Sequence, residues 1–446
     1  MSGGESVRKA ARIAQLVNDV TAMRGEAATS NEQPVSFWVP GRIEVLGKHT
    51  DYGGGRSLLC AVERGICVAA LPSADRERDG RGTPRVRVRD TNSGEMAEIE
   101  LSPQVAPRPG HWSNYVIAVT RRIATNFSSP MHGADIAFGS DLPPAAGVSS
   151  SSALVIAIFL ALSAINDLPD SAEYRANIRT QEDLAEYLGC VENGLDFRAL
   201  RGQLGVGTFG GSEDHTAILC SRAGSLAQYS FCPVTFERAI DLPKRYTFVI
   251  AASGVLAEKT GSALEHYNRV SRRLSVGLEI WNRTSGRSDR SMGAAMSSAP
   301  NAPAQIRAAL GAATGAEYSS ESLLQRFDQF HQEVSELIPM AGDALARGDI
   351  AAFGEIVARS QTGAERALHN QIPRTISLVQ QARGLGAVAA SAFGAGFGGS
   401  VWALVDAAVV ESFQHRWAEA YHEKFPEAGG RSEFFSTLAG PPATRL

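Results

Sequence analysis

The sequence lacks the cysteine pattern of a disulfide-rich or zinc-binding protein. Its five cysteines are odd in number and include no CxxC pair; they are Cys60, Cys67, Cys190, Cys220 and Cys232. Neither a disulfide framework nor a zinc site is indicated. We expect reduced thiols and a cytoplasmic location.

Long apolar runs and an excess of basic charge are also missing. The longest apolar run, 153–165, includes Ser163 and is too short to span a bilayer. Residues 1–29 have no apolar core of signal-peptide length. A net charge of −4 argues against a nucleic-acid surface. We expect no membrane segment and no nucleic-acid partner.

Length and composition are typical of an enzyme with more than one domain. The chain has 446 residues, 44% of them apolar and 20% charged, and a single core rarely extends this far. We expect an N-terminal domain over 1–240 and a C-terminal domain over 241–446. Strand-like and helix-like periodicities are mixed, so the predicted fold class is α+β, or mixed α/β.

Several local expectations depend on residue pattern alone. The pattern predicts strands over 35–39, 216–220 and 246–252, and a short helix and then a strand over 57–72. It also predicts helices over 181–192 and 411–425 and a charged surface loop over 73–84. Residues 284–320, rich in Ser, Ala, Gly and Arg, indicate a flexible insertion or loop.

The stretch at 40–56 concentrates polar side chains on a glycine-bounded turn. It reads PGRIEVLGKHTDYGGGR and places Arg42, Lys48, His49 and Asp51 within ten residues. Carboxylate and imidazole groups can hold hydroxyls, and the cations can hold phosphate or carboxylate. We predict that this turn faces a ligand.

A second stretch, 141–154, has the composition of an anion site. It reads DLPPAAGVSSSSAL, so Gly147 and four serines lead into an apolar helix; the serines are Ser149, Ser150, Ser151 and Ser152. Helix-start N–H groups attract negative charge, and serine hydroxyls can bind phosphate or magnesium. One serine suffices for an N-cap, so four favour phosphate binding. The ending of a Walker A motif is missing.

A third glycine-rich loop, 394–400, reads GAGFGGS between two strand-like segments. Four glycines around one phenylalanine indicate a backbone that approaches another group closely. A tight hairpin is the alternative interpretation of this stretch.

The three motifs, in this order and spacing, resemble those of the GHMP kinase superfamily, and of galactokinases in particular. Residues 41–54 resemble the galactokinase signature GRxNxIGEHTDYNGG. Residues 143–154 resemble the phosphate loop PxGxGLSSSAxL, and 393–400 resemble TGAGFGGC. The resemblance extends from about residue 35 to 425.

The resemblance implies a two-domain fold with the site in the cleft between the domains. The N-terminal half would be a ribosomal-protein-like α/β domain, and the C-terminal half a ferredoxin-like layer with extra helices. It further implies transfer of the γ-phosphoryl group of ATP to the anomeric C1 hydroxyl of a galactose-like hexose, with Mg²⁺. Galactokinases are often monomers, so a monomer is expected here.

The resemblance also implies roles for single residues. Asp214, within GGSEDH at 210–215, matches the Asp that takes the anomeric proton, and Arg42 matches the arginine beside it. A turn aspartate is the alternative interpretation of Asp214. The sugar-binding residues would be Lys48, His49, Asp51, Gly211 and Tyr267.

The ATP phosphates would lie on Gly147 and on the serines from Ser149 to Ser152. Ser151 and Glu192 are the expected magnesium ligands, although Glu192 precedes Asp214 by 22 residues, whereas the family spacing is about a dozen. Residues 193–206 therefore resemble an insertion. Glu186 and Glu213 remain alternatives to Glu192.

Lys48 departs from the galactokinase pattern, which has Glu at this position to contact the sugar C6 hydroxyl. An ammonium can only donate, and it could pair with a ligand carboxylate. One hypothesis is therefore an acidic or C6-modified hexose such as galacturonate. The alternative is that Lys48 pairs with Glu44 or Glu213 and galactose remains the substrate.

A function without catalysis is also compatible with this resemblance. Some galactokinase-like proteins bind sugar and ATP as sensors. Retention of the serines, Arg42 and Asp214 favours the enzyme.

Overall fold

The structure, a computed structural model, describes residues 3–24, 32–73, 83–128, 131–143, 147–256 and 262–446. Its helices are Gly3–Arg24 (α1), Asn114–Asn126 (α2), Ser150–Ile165 (α3), Ala172–Asn177 (α4), Gln181–Asn193 (α5), Glu213–Cys220 (α6), Ser262–Ser285 (α7), Met292–Met296 (α8), Ala302–Gly311 (α9), Ser320–Gln332 (α10), Ile338–Ala346 (α11), Ile350–Gly363 (α12), Pro373–Gly384 (α13) and Val410–Lys424 (α14). Its strands are Val35–Leu46 (β1), Arg56–Pro72 (β2), Arg85–Asp90 (β3), Met96–Glu100 (β4), Ala134–Ser140 (β5), Ser225–Ser230 (β6), Thr235–Asp241 (β7), Tyr246–Ala252 (β8), Ala389–Ala392 (β9), Ser400–Asp406 (β10), Glu433–Thr437 (β11) and Thr444–Arg445 (β12).

The strands form two sheets, and most strands of the first sheet precede those of the second in the sequence. The first has the order β12-β1-β2-β5-β3-β4, and β6 and β7 extend it beside the start of β2. The second is the antiparallel sheet β11-β8-β10-β9. The mixed α and β class is confirmed, whereas the boundary at 240/241 stays a prediction.

Helix α3 lies in the core beside the first sheet. Apolar residues cover it on nearly every face, and most of its side chains from Ser152 to Leu162 are buried. It packs against β1 and β2, and also against α2. Because α3 begins at Ser150, within the serine stretch, burial of the helix fixes the position of that stretch.

Pairing on both edges explains why 56–72 forms one long strand rather than the predicted helix and strand. One edge of β2 pairs with β1, while the other pairs first with β6 and then with β5. Gly65 permits the close approach of β1, since a Cβ there would lie 2.3 Å from the carbonyl oxygen of Val39.

The strand predicted over 216–220 was wrong, because these residues belong to helix α6. The helix begins at Glu213, and the backbone N–H of Thr216 donates to the carbonyl of Ser212. Glu213 and Asp214 in the first turn favour a helix start. A five-residue apolar run cannot distinguish a strand from a buried helix.

The predicted flexible insertion at 284–320 was also wrong. It contains α8, α9 and the end of α7, with Met292, Ile306 and Leu310 buried in a cluster shared with α7 and α10. The hydroxyl of Ser291 caps α8 by accepting from the N–H of Ala294. Alanine favours helix. The large apolar residues of this segment are few and lie among Ser and Gly, so their helical spacing was not recognised.

Several predicted segments lie wholly or partly outside the described residues. These include most of the predicted surface loop at 73–84 and part of the serine stretch, 144–146. In the described ranges, no helix combines the length and apolar character that a membrane span requires.

Candidate active site

A polar cavity lies where residues from distant parts of the chain meet. Its void is about 500 Å³, counting its opening to solvent. The lining side chains and backbone segments are those of Arg42, Glu44, His49, Asp51, Tyr52, Ser152, Glu192, Asn193, Thr208, Gly210, Gly211, Glu213, Asp214, His215, Tyr267, Gly394 and Ala395. The three motifs of the sequence therefore converge on one site.

Strand β1 supplies Arg42 and Glu44 to the cavity. The strand continues to Leu46, beyond the predicted end at residue 39, and its pairing with β2 is irregular near both side chains. Residues two apart on a strand share a face, which explains why Arg42 and Glu44 both reach the cavity. The turn proper begins only at Gly47.

Arg42 and Asp214 form a buried ion pair beside the serine loop. Arg42 Nε donates to Asp214 Oδ1 at 2.7 Å, and Arg42 Nη2 lies 2.5 Å from the same oxygen. Arg42 Nη1 also donates to the carbonyl of Gly147. Burial lowers the pKa of Arg42, but Asp214, Glu213 and Glu44 outweigh it and raise the pKa overall. Arg42 is therefore charged, and it holds Asp214 against the serine loop.

His49 and Asp51 occupy the turn after β1. His49 has a left-handed backbone (φ 58°), and its Nε2 lies 3.1 Å from the carbonyl of Ala395 in the third loop. Asp51 Oδ2 accepts from the N–H of Glu213 at 3.1 Å. A Cβ on Gly211 would lie 2.4 Å from this oxygen, so glycine is needed for Asp51 to fit.

Tyr267 approaches the same part of the cavity from α7. Its ring centroid lies 5.4 Å from that of His49, and its hydroxyl lies 2.8 Å from where a Cβ on Gly210 would be. All the predicted sugar-binding residues except Lys48 thus line the cavity.

Lys48 lies outside the cavity lining, contrary to the prediction that it faces a ligand. The side chain is 1% exposed, and its Nζ donates to Ser391 Oγ at 2.9 Å. Glu44 Oε1 lies 3.8 Å from the ammonium. The pairing with Glu44 is one that the sequence had left open, and it turns the ammonium away from the cavity.

Glu44 brings a carboxylate to the cavity wall, whereas sequence reasoning named it only as a possible partner of Lys48. Its Oε2 accepts from the N–H of Gly394 at 3.3 Å, while its Oε1 forms no hydrogen bond within the described residues. Burial raises the pKa of Glu44 to about 7, although Lys48 and Arg42 lower it. Burial, together with Glu44 and Asp51, also raises the pKa of Glu213.

The serine loop begins α3 and faces the third loop. Gly147 has a left-handed backbone (φ 76°), and a Cβ there would lie 3.4 Å from the carbonyl oxygen of Phe393. Ser149 is buried with its Oγ unpaired in the described part of the chain, while Ser150 and Ser151 are half-buried in the first turn. This arrangement leaves helix-start N–H groups available to an anion.

Ser152, rather than the predicted Ser151, contacts Glu192. Ser152 Oγ donates to Glu192 Oε2 at 2.7 Å and lies 3.4 Å from Asp214 Oδ2. Neighbouring residues on a helix point about 100° apart, so only one of the two serines can face Glu192. Ser152 is thus the serine that contacts Glu192, and the predicted magnesium ligand pair of Ser151 and Glu192 stays a prediction.

The insertion at 193–206 does not remove Glu192 from the site. The N–H of Val206 donates to the carbonyl of Glu192 at 2.9 Å. The segment 193–206 therefore forms a loop that begins and ends beside Glu192. Of the two alternatives, Glu186 accepts from the N–H of Val234 outside the lining. Glu213 lines the cavity, but its Oε2 accepts from Ser57.

The oxygen atoms around Ser152 fit a magnesium ion. The carboxylates of Glu192 and Asp214 converge on this hydroxyl, and Mg²⁺ prefers oxygen ligands. His215 Nε2 lies 3.1 Å from Glu192 Oε2. No group of three or more His, Cys, Asp or Glu residues in the described ranges has the geometry to hold a metal alone. The set would therefore need the phosphates and waters that usually complete a magnesium shell.

Three family models match segments that contain the site motifs. The galactokinase galactose-binding signature matches 26–72, the GHMP kinase N-terminal domain 114–196 and the GHMP kinase C-terminal domain 343–423. A galactokinase from Roseiflexus sp. (strain RS-1) is 28% identical over 389 residues, which cover 86% of each chain.

Solved structures share the fold. Lactococcus lactis galactokinase complexed with galactose superposes with a TM-score of 0.74 at 21% identity, covering 96% of this chain and 99% of the other. The mevalonate kinase of L. major with R-mevalonate gives a TM-score of 0.53 at 17% identity, covering 91% and 96%. At these identities the likeness establishes the fold alone.

Proposed function

We propose that this chain, a galactokinase-like member of the GHMP kinase superfamily, is a sugar kinase. It would use ATP to phosphorylate the anomeric C1 hydroxyl of a galactose-like hexose. The observation that carries the proposal is the Arg42–Asp214 ion pair. It lies between the serine loop on one side and His49, Asp51 and Tyr267 on the other.

In the proposed reaction, the C1 oxygen attacks the γ-phosphorus of ATP. The new O1–P bond forms as the bond from phosphorus to the β–γ bridging oxygen breaks, and ADP leaves. Asp214 orients the C1 hydroxyl and accepts its proton, while Arg42 stabilises the ionised carboxylate and the developing phosphoryl charge. Transfer of this kind depends mainly on positioning and charge neutralisation.

The phosphates of ATP would lie on the serine loop. Gly147 allows close approach of the backbone, and the N–H groups from Ser149 to Ser152 would donate to phosphate oxygens. Ser152 and Glu192 would hold Mg²⁺. When bound, the ion supplies positive charge that neutralises the β- and γ-phosphates.

The lining favours a neutral hexose over a uronic acid. Glu44, Asp51 and Glu213 all line the cavity, while the ammonium of Lys48 lies behind the wall. Asp51 would repel a ligand carboxylate, while the arginine of the lining, Arg42, is already paired with Asp214. Hexose hydroxyls can instead donate to Asp51 and Glu44, as the galactokinase resemblance would require.

An ADP-release assay over a sugar panel tests this proposal. The panel contains galactose, glucose, galactosamine, galacturonate and glucuronate. We expect turnover of galactose or a closely related neutral hexose and none of the uronates. Binding of ATP and sugar without any turnover would instead favour a sensor.

Replacing the proposed base tests the mechanism. Asp214→Ala should lower kcat by about 10²–10⁴-fold, because it removes the proton acceptor. Asp328→Asn, an exposed carboxylate paired with Arg307, is the matched control and should retain normal turnover. Unchanged kcat in Asp214→Ala would rule out the assigned base.

A further inference from the structure

Two buried arginines lie close together at α7, and neither has a carboxylate partner among the described residues. Arg273 is 6% exposed and Arg326 is fully buried. Arg273 Nη2 donates to the carbonyls of Ala367 and Leu368, and Arg326 donates to Gln329 and to backbone carbonyls. Within the described residues, neither guanidinium pairs with Asp or Glu. Buried charges are normally paired, so this arrangement lacks a counter-ion.

The environment of Arg273 favours an anion. Burial, together with the like charges of Arg326 and Arg269, lowers the pKa of Arg273 to about 10. Arg273 Nε also has no hydrogen-bond partner among the described residues. A bound anion would relieve both the repulsion and the burial of an unpaired charge.

Arg273 lines a second cavity, on a face of α7 next to the one that bears Tyr267. Its void is about 660 Å³, counting its opening. Four lining residues are spaced as one helix face, and the others come from α10 and from two loops. The full set is His266, Arg269, Val270, Arg273, Ser322, Gln325, Leu368, His369 and Phe397. The described residues of this lining include two arginines, two histidines and no acidic residue.

The two loop residues of this cavity have strained backbones. His369 has φ 56° and Phe397 has φ 58°, a left-handed region that bulky residues rarely occupy. The N–H of Phe397 donates to the carbonyl of Asn370 at 2.6 Å, which holds the two loops together. Such strain is often kept where a ligand is bound.

We propose that this second cavity binds a phosphate group, either free or carried by a small metabolite, between Arg269 and Arg273. Two guanidinium groups suit the charge and the several oxygens of a phosphate. The hydroxyl of Ser322 and the amide of Gln325 supply further donors. The imidazoles of His266 and His369 also line the cavity, and its described lining contains no carboxylate that would repel a phosphate.

The phosphate site shares its walls with the active-site cavity. Arg326 Nη2 donates to the carbonyl of His49 and, at 3.1 Å, to the hydroxyl of Tyr52. The third loop contributes Ala395 to one cavity and Phe397 to the other. A phosphate bound here would therefore touch elements that also wall the active-site cavity, although the site does not depend on the proposed kinase function.

Phosphate titration with a matched pair of variants tests the site. Inorganic phosphate is added to the full-length protein at constant ionic strength, and binding is followed by calorimetry and thermal unfolding. Arg269→Gln should weaken this binding at least tenfold. Arg272→Gln should resemble wild type, since Arg272 pairs with Glu317 outside the lining. Both variants keep the serine loop, so phosphate bound there contributes equally to both.

Equal phosphate binding by wild type, Arg269→Gln and Arg272→Gln would overturn the proposal, whether or not the protein is a kinase. Arg269 is exposed, so its replacement should not prevent folding. Glycerol 1-phosphate, titrated in parallel, identifies the source of the phosphate. Tighter binding of the ester indicates a metabolite, and equal binding indicates free phosphate.

Discussion

At the residue scale, Lys48 and Glu44 together explain the departure from the galactokinase signature. That signature has Asn where this chain has Glu44 and Glu where it has Lys48. The cavity keeps a carboxylate, but the carboxylate now comes from β1, and Lys48 neutralises it from behind. Lys48 viewed alone suggested that an ammonium replaces the carboxylate, whereas the pair keeps a carboxylate on the cavity wall and adds a cation behind it.

Replacing Lys48 by glutamate tests its pairing with Glu44. Lys48→Glu should destabilise the protein by about 3 kcal/mol and reduce sugar turnover, because it buries a second carboxylate beside Glu44. The double variant Glu44→Asn/Lys48→Glu, which restores the family pattern, should recover much of both losses. Thermal unfolding and steady-state kinetics measure them. A double variant no better than Lys48→Glu would contradict the pairing.

The raised pKa of Glu44 predicts a pH dependence of stability. The pKa is about 7 in the folded protein and about 4.5 when the chain is unfolded. The folded state therefore holds an extra proton between these values, so this group's contribution to stability falls as pH rises from about 4.5 to 7. In wild type, this fall in the free energy of unfolding should be on the order of 1–3 kcal/mol. The Glu44→Gln variant should not show it.

Chemical denaturation at several pH values measures that decline. The exposed Glu411→Gln is a control and should follow wild type. If the Glu44→Gln curve has the same slope as wild type across this window, Glu44 does not titrate there.

At the scale of elements, the start of α3 determines which serine contacts Glu192. The sequence correctly predicted a serine-rich turn leading into a buried helix, but it could not assign helical phase to four adjacent serines. Burial of the apolar faces of α3 fixes that phase, and it directs Ser152 to Glu192.

Magnesium titrations of two serine variants test this assignment. Ser152→Ala should raise the Mg²⁺ concentration needed for half-maximal activity more than Ser151→Ala does, by roughly tenfold. The reason is that only Ser152 donates to Glu192. A larger effect of Ser151→Ala would restore the original assignment.

Helices and strands with strong periodicity were largely predictable, and the errors at two apolar segments share one cause. The helix ending at Glu192, the strand at 246–252 and the helix at 411–425 were expected and are present as α5, β8 and α14. The segments 57–72 and 216–220 were assigned incorrectly because tertiary pairing decides the state of short apolar runs.

At the scale of the whole molecule, the site depends on contacts that no local pattern reveals. Arg42 and Asp214 are 172 residues apart in sequence, and Ala395 lies 346 residues from His49. Resemblance to a family indicated that these motifs meet. The contacts of Lys48 and the second cavity could not be read from the sequence, since both depend on which side chains a folded backbone brings together.

The central claim, transfer of phosphate to C1, is tested most directly by NMR of the product. Galactose labelled with ¹³C at C1 is incubated with ATP, Mg²⁺ and the protein. We predict that the C1 signal acquires coupling to ³¹P and that this product is lost in Asp214→Ala. A phosphorylated product without coupling at C1, or no transfer to any neutral hexose, would contradict the account.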